Sequence, residues 1–375
     1  MPDRRPAPPD ENPAEGCDGR YERPEPPPRR GRRLAREWLL PALAGMAGAL
    51  ALFGVYREGR RRGAGGQAPA SLSATARPEA APSARPASPA WVGERAVDPV
   101  VVNDLYNRSR RLLPMAEPLG PARPGEWRHI AQEASQSYYQ FARDPRRPAF
   151  DSARTVVLQP LGDLSAPATR LLPLMGEFLS CFLDLPVRVA TPLEARAVPE
   201  AAWRRRGSLT QLDAEYAMRH VLAPRLSGDS ALIVGVTGAD LRPGDRWEFQ
   251  NAFGWSSFTD RTAIVSVARA FPGNDRRDAA LADLLHMLKF TAHEAGHALG
   301  ILHCDRYACL MNGRASLPEN ASKPLWLCPD CYAKVSLATG FNGPRRARRL
   351  AEFCGKVGLE AERGHWLAVG KAVQQ

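Results

Sequence analysis

Between residues 293 and 303 the chain reads His293-Glu294-Ala295-Gly296-His297-Ala298-Leu299-Gly300-Ile301-Leu302-His303, and this run constrains the fold more than any other stretch. On a helix, residues four apart are neighbours about 5–6 Å apart at Cβ. His293 and His297 therefore share one face and are placed to hold a single ion, with Glu294 one step round beside its bound water. Gly300, which has no Cβ, is free to take positive φ, end the helix and turn the chain back so that His303 meets the same ion. Three histidines leave one position open for water, the catalytic rather than the structural pattern of zinc coordination. Zinc lowers the pKa of such a water from near 16 to about 7, and Glu294 stands where a general base would take its proton.

A second constellation follows at once: Cys304, Cys309 and the pair Cys328-Pro329-Asp330-Cys331. Four thiolates suffice for a closed zinc site. Because adjacent residues point in different directions, His303 can face the first ion while Cys304 faces away and helps build a second. The alternatives are a pair of disulfides or buried free thiols. Met311 stands two residues after Cys309 and reads on its own as a flexible core filler.

Taken together, His-Glu-x-x-His-x-x-Gly-x-x-His-Cys, then Cys309-Leu310-Met311 and Cys328-x-x-Cys331, resemble the archaemetzincin (archaelysin) family of metzincin metallopeptidases, over residues 150–342. The resemblance implies two Zn2+ ions per chain. His293, His297 and His303 would bind the catalytic ion, Glu294 would be the base, and Cys304, Cys309, Cys328 and Cys331 would bind the structural one. Met311 would be the methionine of the turn beneath the metal, and a peptide or protein would be the substrate. In metzincins a substrate peptide usually pairs with an exposed sheet edge, which points to Trp247–Gly254. One departure stands out: some metzincins carry a Tyr just after the Met, whereas Asn312 and Gly313 follow here, which leaves any extra oxyanion donor unidentified.

The implied fold is α/β, of the α+β metzincin kind: a mixed twisted sheet beside a zinc-binding helix. The pattern agrees. Thr155–Leu158, Val187–Ala190, Ala231–Val236, Phe249–Gly254 and Ala263–Arg269 read as strands, and Ala168–Leu183, interrupted near Pro173, and Thr210–Leu222 as helices. Residues 275–299 form the last helix, with Leu281, Leu284, Leu288, Ala292, Ala295 and Leu299 as its core stripe and the histidines about a third of a turn away. Upstream, Ile130, Ala134, Tyr138 and Phe141 at helical spacing suggest a helix from Gly125 to Ala142.

With 375 residues and 44% hydrophobic content the chain is long enough for a substantial core, but the apolar residues are unevenly spread. The expected organisation is a disordered basic and Pro-rich N-terminus (1–36), a single transmembrane helix (37–57), an Ala/Pro/Ser-rich linker (58–90), a helical extension (91–148), the peptidase domain (149–342) and a basic C-terminal tail (343–375). The membrane expectation rests on residues 38–56, nineteen without a charge, bounded by Trp38 and Tyr56 and flanked on both sides by arginines. It makes the chain a single-pass membrane protein, with the side of the peptidase domain left open. His129, His220, His286 and His365 read as surface or satisfied histidines, and Cys17, Cys181 and Cys354 as free thiols.

Two rival classes are weighed against this reading. The net charge of +11 suits a nucleic-acid-binding zinc module, but much of the arginine surrounds residues 38–56 and the histidine triad has no role there, so no nucleic-acid partner is expected. The other rival is a membrane-anchored zinc-binding protein without turnover, against which Glu294 argues.

Overall fold

The structure, a computed structural model, describes residues 97–148, 154–244, 251–269 and 277–374. In chain order its elements are α1 (Pro99–Ser109), a 3-10 turn (Arg110–Met115), α2 (Trp127–Ala131), α3 (Tyr138–Arg143), β1 (Thr155–Leu161), α4 (Ala166–Leu183), β2 (Val187–Val189), β3 (Trp203–Arg206) and β4 (Leu209–Asp213). There follow α5 (Ala214–Tyr216), continued by a wide-turn segment (Ala217–Leu222), then β5 (Ser230–Thr237), β6 (Asp240–Arg242), β7 (Gly254–Ser257) and β8 (Thr262–Ser266). The chain ends with α6 (Arg277–Ala298), α7 (Leu317–Ser322), α8 (Pro329–Thr339), α9 (Gly343–Val357) and α10 (Glu360–Gln374).

Five strands form the main sheet in the order β2-β1-β5-β8-β7, parallel except for β7, which runs antiparallel to β8 at the edge. Its central strands are apolar throughout because both faces are covered. Val156, Leu158, Leu232, Val234, Ala263 and Val265 point toward the helices α4 and α6, while their neighbours Val157, Leu161, Ile233 and Ile264 pack with Leu212, Ala217, Met218 and Leu222 on the other side. A smaller sheet, β3-β4-β6, pairs β3 and β4 antiparallel. Leu284, Leu288, Ala292, Ala295 and Leu299 are buried along α6 as expected, and they press the zinc-motif helix onto the sheet.

Several expectations are altered. Thr210–Asp213 belongs to strand β4, since Gln211 and Leu212 pair with β3 on one side and β6 on the other; the helix starts only at Ala214, capped by Asp213 Oδ1 accepting from Tyr216 N at 2.9 Å. The helix over 125–142 divides in two. Gln132 takes the left-handed conformation (φ 48°) and ends α2, and a Ser137/Gln140 capping box starts α3. At the sheet edge, residues 249–250 of the expected Phe249–Gly254 strand lie outside the described residues, and the observed strand begins at Gly254. α4 runs through Pro173, its buried Leu172, Met175, Phe178, Leu179 and Phe182 holding it to the core. Residues 343–374, read as a basic tail, form α9 and α10, in which Leu350, Phe353, Trp366 and Val369 are buried.

The transmembrane helix expected at residues 37–57 lies outside the described residues. Among the described residues no helix is long and apolar enough to cross a membrane. The longest, α6, carries Asp283, Lys289 and Glu294, and hydrocarbon would not solvate such charges. The fold class is accordingly corrected to a mixed α/β fold without a membrane-spanning element among its described residues. The single-pass membrane localisation and the membrane partner through residues 38–56 are withdrawn with it.

Candidate active site

α6 delivers two histidines to one place, and its end delivers the third. Gly300 adopts φ +85°, Gly300 N donates to His297 O at 2.8 Å and Ile301 N to Gly296 O at 3.1 Å. This is the paired-bond helix stop that a residue without Cβ allows. The chain reverses there and brings His303 back, so that one ring nitrogen from each of His293, His297 and His303 lies within 4.8 Å of the others.

The proton positions follow from the partners. His293 Nδ1 donates to Leu310 O at 2.8 Å and His297 Nδ1 to Ile301 O at 2.6 Å, so both Nε2 atoms carry bare lone pairs. Those two Nε2 atoms stand 3.0 Å apart. Two acceptors face to face repel unless a cation lies between them, and the donor set fits zinc for that reason. Burial, with the cationic Arg314 and the neighbouring imidazoles, holds His293 well below the ordinary histidine range; burial and His303 do the same for His297. Both rings are neutral and ready to ligate.

Glu294 is buried at 7% exposure, and burial pushes its carboxyl up to about 7 against the opposing effects of Ser256 and Arg314. Ser256 Oγ on β7 donates to Glu294 Oε2 at 2.5 Å and to its backbone carbonyl at 3.1 Å. Arg314 donates through Nη2 to Leu310 O, while its Nε and Nη1 are buried without a hydrogen-bond partner. These groups line a cleft of ≈ 730 Å³ together with Trp127, Glu133, Gly254 and Phe258. Phe258 sets its ring edge-on to His297 at 5.2 Å. Beneath the helix, fully buried Met311 packs where Gly296 has no side chain: a Cβ there would stand 2.5 Å from Met311 Sδ.

Cys304, Cys309, Cys328 and Cys331 also converge, their sulfurs all within 4.8 Å of one another. Cys304 Sγ and Cys328 Sγ are 3.7 Å apart, well beyond the roughly 2.05 Å of a disulfide. Hydrogen bonds from the other three pull the Cys304 thiol well down. Burial pushes the Cys309 thiol well up, and the bonds to its neighbours do the same for Cys331. Only a cation would let all four ionise together. Backbone N–H groups of Met311 and Cys328 donate to Cys309 Sγ at 3.4 and 3.2 Å. Asn312, where a Tyr would stand in some metzincins, is instead a tie within the cysteine loop: its Nδ2 donates to Cys304 O and Tyr307 O, and its Oδ1 accepts from Cys309 N.

Residues that sequence reasoning passed over complete the site. Ser256 had no motif to mark it. Trp127, which opens α2, and Glu133, from the segment between α2 and α3, meet the third histidine: His303 Nδ1 and Trp127 Nε1 both bond Glu133 Oε2, the latter at 3.0 Å. The same segment is stitched to the loop after α6, with Leu302 N donating to Gln136 Oε1 and Gln136 Nε2 to Gly300 O, each at 3.3 Å. His286 bonds Asn320 and His365 stacks on Trp326, outside the cleft lining.

The chain is similar to known proteins. A profile for Peptidase family M54 matches residues 217–336. Archaemetzincin-2 of Macaca fascicularis is 30% identical over 264 residues, which cover 61% of this chain and 72% of that protein. Archaemetzincin-2 of Rattus norvegicus is 30% identical over 299 residues, 69% of this chain and 80% of that protein. The crystal structure of archaemetzincin from Methanopyrus kandleri aligns over 51% of this chain and 98% of its own, at 23% identity and a TM-score of 0.40.

Proposed function

This chain belongs to the archaemetzincin family and is a zinc metallopeptidase; from that premise we propose that His293, His297 and His303 are the ligands of its catalytic zinc and Glu294 its general base in peptide-bond hydrolysis. One observation carries the reading: two Nε2 lone pairs face each other at 3.0 Å, with a third imidazole and a buried carboxylate beside them. Zinc bound there supplies a Lewis acid and a water acidified toward neutrality. Ser256 holds Glu294 Oε2, which leaves Oε1 to take the proton of the attacking water and return it to the departing amine.

The substrate peptide adds as a strand along β7, which has β8 on one side only among the described residues, with Phe258 and Trp127 flanking it across the cleft. Cys304, Cys309, Cys328 and Cys331 hold a second, structural zinc that braces the loop carrying Met311. Two zinc ions per chain follow.

The test is Glu294→Gln, with metal content and turnover of a fluorogenic peptide measured on the same preparation. The variant keeps its zinc and loses about 10²–10⁴-fold in kcat. A fully metallated Glu294→Gln protein with wild-type turnover removes Glu294 from the role of base.

A further inference from the structure

The third histidine differs from the other two in what holds it. His293 and His297 are oriented by backbone carbonyls of their own neighbourhood, Leu310 and Ile301. His303 is oriented by a side chain 170 residues upstream, Glu133, and not by a carbonyl. The same carboxylate oxygen, Oε2, accepts from Trp127 Nε1 at 3.0 Å. An indole nitrogen only donates and an ionised carboxylate only accepts, so with Glu133 ionised His303 Nδ1 carries the proton. That leaves Nε2 of His303 as a lone pair, the same state that the carbonyls impose on His293 and His297.

Trp127 is itself locked. Its ring lies edge-on to His303 with centroids 5.4 Å apart, and it fills the space above Gly313, where a Cβ would come within 1.9 Å of its Cδ1. Trp127 N donates to the Glu319 carboxylate at 3.2 Å. Glu133 thus sits on a segment anchored to both sides of the metal loop, to residues 313–319 through Trp127 and to residues 300–302 through Gln136.

We infer that Glu133, steadied by Trp127, is a positioning residue of the metal site, which fixes the tautomer and orientation of His303 so that its Nε2 meets the ion. The inference rests on the reading of His303 as a zinc ligand. It makes the segment before β1, upstream of the region that the family profile matches, a working part of the active site. Carboxylates that orient a ligating imidazole commonly contribute 10–100-fold to metal affinity. His303 has the greatest need of one, since it lies on an irregular loop at 22% side-chain exposure while His293 and His297 are buried on a helix.

The experiment uses the full chain, with zinc affinity of the weaker-held site measured by chelator competition and the ligand-field spectrum recorded after cobalt substitution. Thermal unfolding and retention of the sulfur-bound metal check the fold. Glu133→Ala is expected to weaken zinc 10–100-fold and alter the cobalt bands. Glu133→Gln, whose amide oxygen still accepts from Nδ1–H without a charge, should fall between wild type and Ala. His293→Ala is the ligand control. If it abolishes binding while Glu133→Ala stays within twofold of wild type with an unchanged spectrum, the positioning role is refuted and the ligand assignment stands. If His293→Ala leaves the ion bound, the three-histidine reading itself has failed and takes this inference with it.

Discussion

Gly254 gives the sharpest test of the site, because its missing side chain is what makes room for Glu294. A Cβ at this position would stand 2.5 Å from Glu294 Cγ, 2.6 Å from Oε1 and 2.7 Å from Cδ, whereas carbon contacts settle near 3.5–4.0 Å. In Gly254→Ala the two groups must separate by about 1 Å. The strand cannot simply retreat: Gly254 pairs with Val265, and Ser256, two residues along the same strand, grips Glu294 Oε2 at 2.5 Å. The backbone itself accepts alanine, since Gly254 is not among the positive-φ glycines. The carboxylate therefore moves, and a displacement of about 1 Å at a reacting group is worth on the order of 10²-fold in rate, or about 2.7 kcal/mol of transition-state stabilisation. Overpacking should lower stability by only about 1–3 kcal/mol. Turnover of a fluorogenic peptide, zinc content and thermal unfolding, measured together, separate these effects. A folded, fully metallated Gly254→Ala enzyme at wild-type kcat would show that turnover does not depend on where Glu294 stands.

Gly313→Ala should expel Trp127 from its seat, so zinc affinity at the histidine site is expected to fall about tenfold, as read by chelator competition; unchanged affinity would mean that Trp127 steadies nothing at the metal. Cys331→Ser should reduce metal content from two equivalents to one and lower the unfolding temperature, since structural zinc binding contributes directly to folding; two retained ions with an unchanged melt would refute a four-cysteine site. Asp184 is held below the ordinary aspartate range: burial pushes it up, but hydrogen bonds from Arg345, Asn342 N and Arg349 outweigh that. Its contribution is present above about pH 4 and is lost as pH falls through the depressed folded value. Asp184→Asn, which tolerates the same left-handed backbone (φ 56°), should destabilise the chain by about 1–2 kcal/mol at pH 7, a figure discounted for the solvent-screened arginine heads, and by less as pH falls below about 4. Urea titrations from pH 7 downward check this, and a gap that does not shrink at low pH would refute the charge argument.

What the sequence revealed was local. The histidine and cysteine spacings, the helix stop at Gly300 and the core stripe of α6 each depend on residues within about a turn or a loop of one another, and each can be read from the order of letters alone. β4 is not legible in the sequence because Thr210-Gln211-Leu212-Asp213 is too short to display a period, and pairing on both sides decides its state. The Ser137-x-x-Gln140 capping box that restarts the helix after Gln132 was legible but was overridden by four apolar residues at helical spacing.

The break at residues 132–137 matters beyond the helix. The non-helical stretch it implies, residues 132–137, is the one that carries Glu133 to His303 and Gln136 to the loop after α6, and a continuous helix through it would have pointed those side chains elsewhere. Ser256 and Gly254 were hidden for a related reason, since their meaning lies entirely in facing Glu294 across the cleft, 38 residues away in the case of Ser256. On the proposed reading, the zinc motif specifies which atoms do the chemistry. How firmly those atoms are held is written in an edge strand and an upstream loop, where single residues act through contacts that only the fold creates, and where changes that spare every motif residue should still alter turnover and metal affinity.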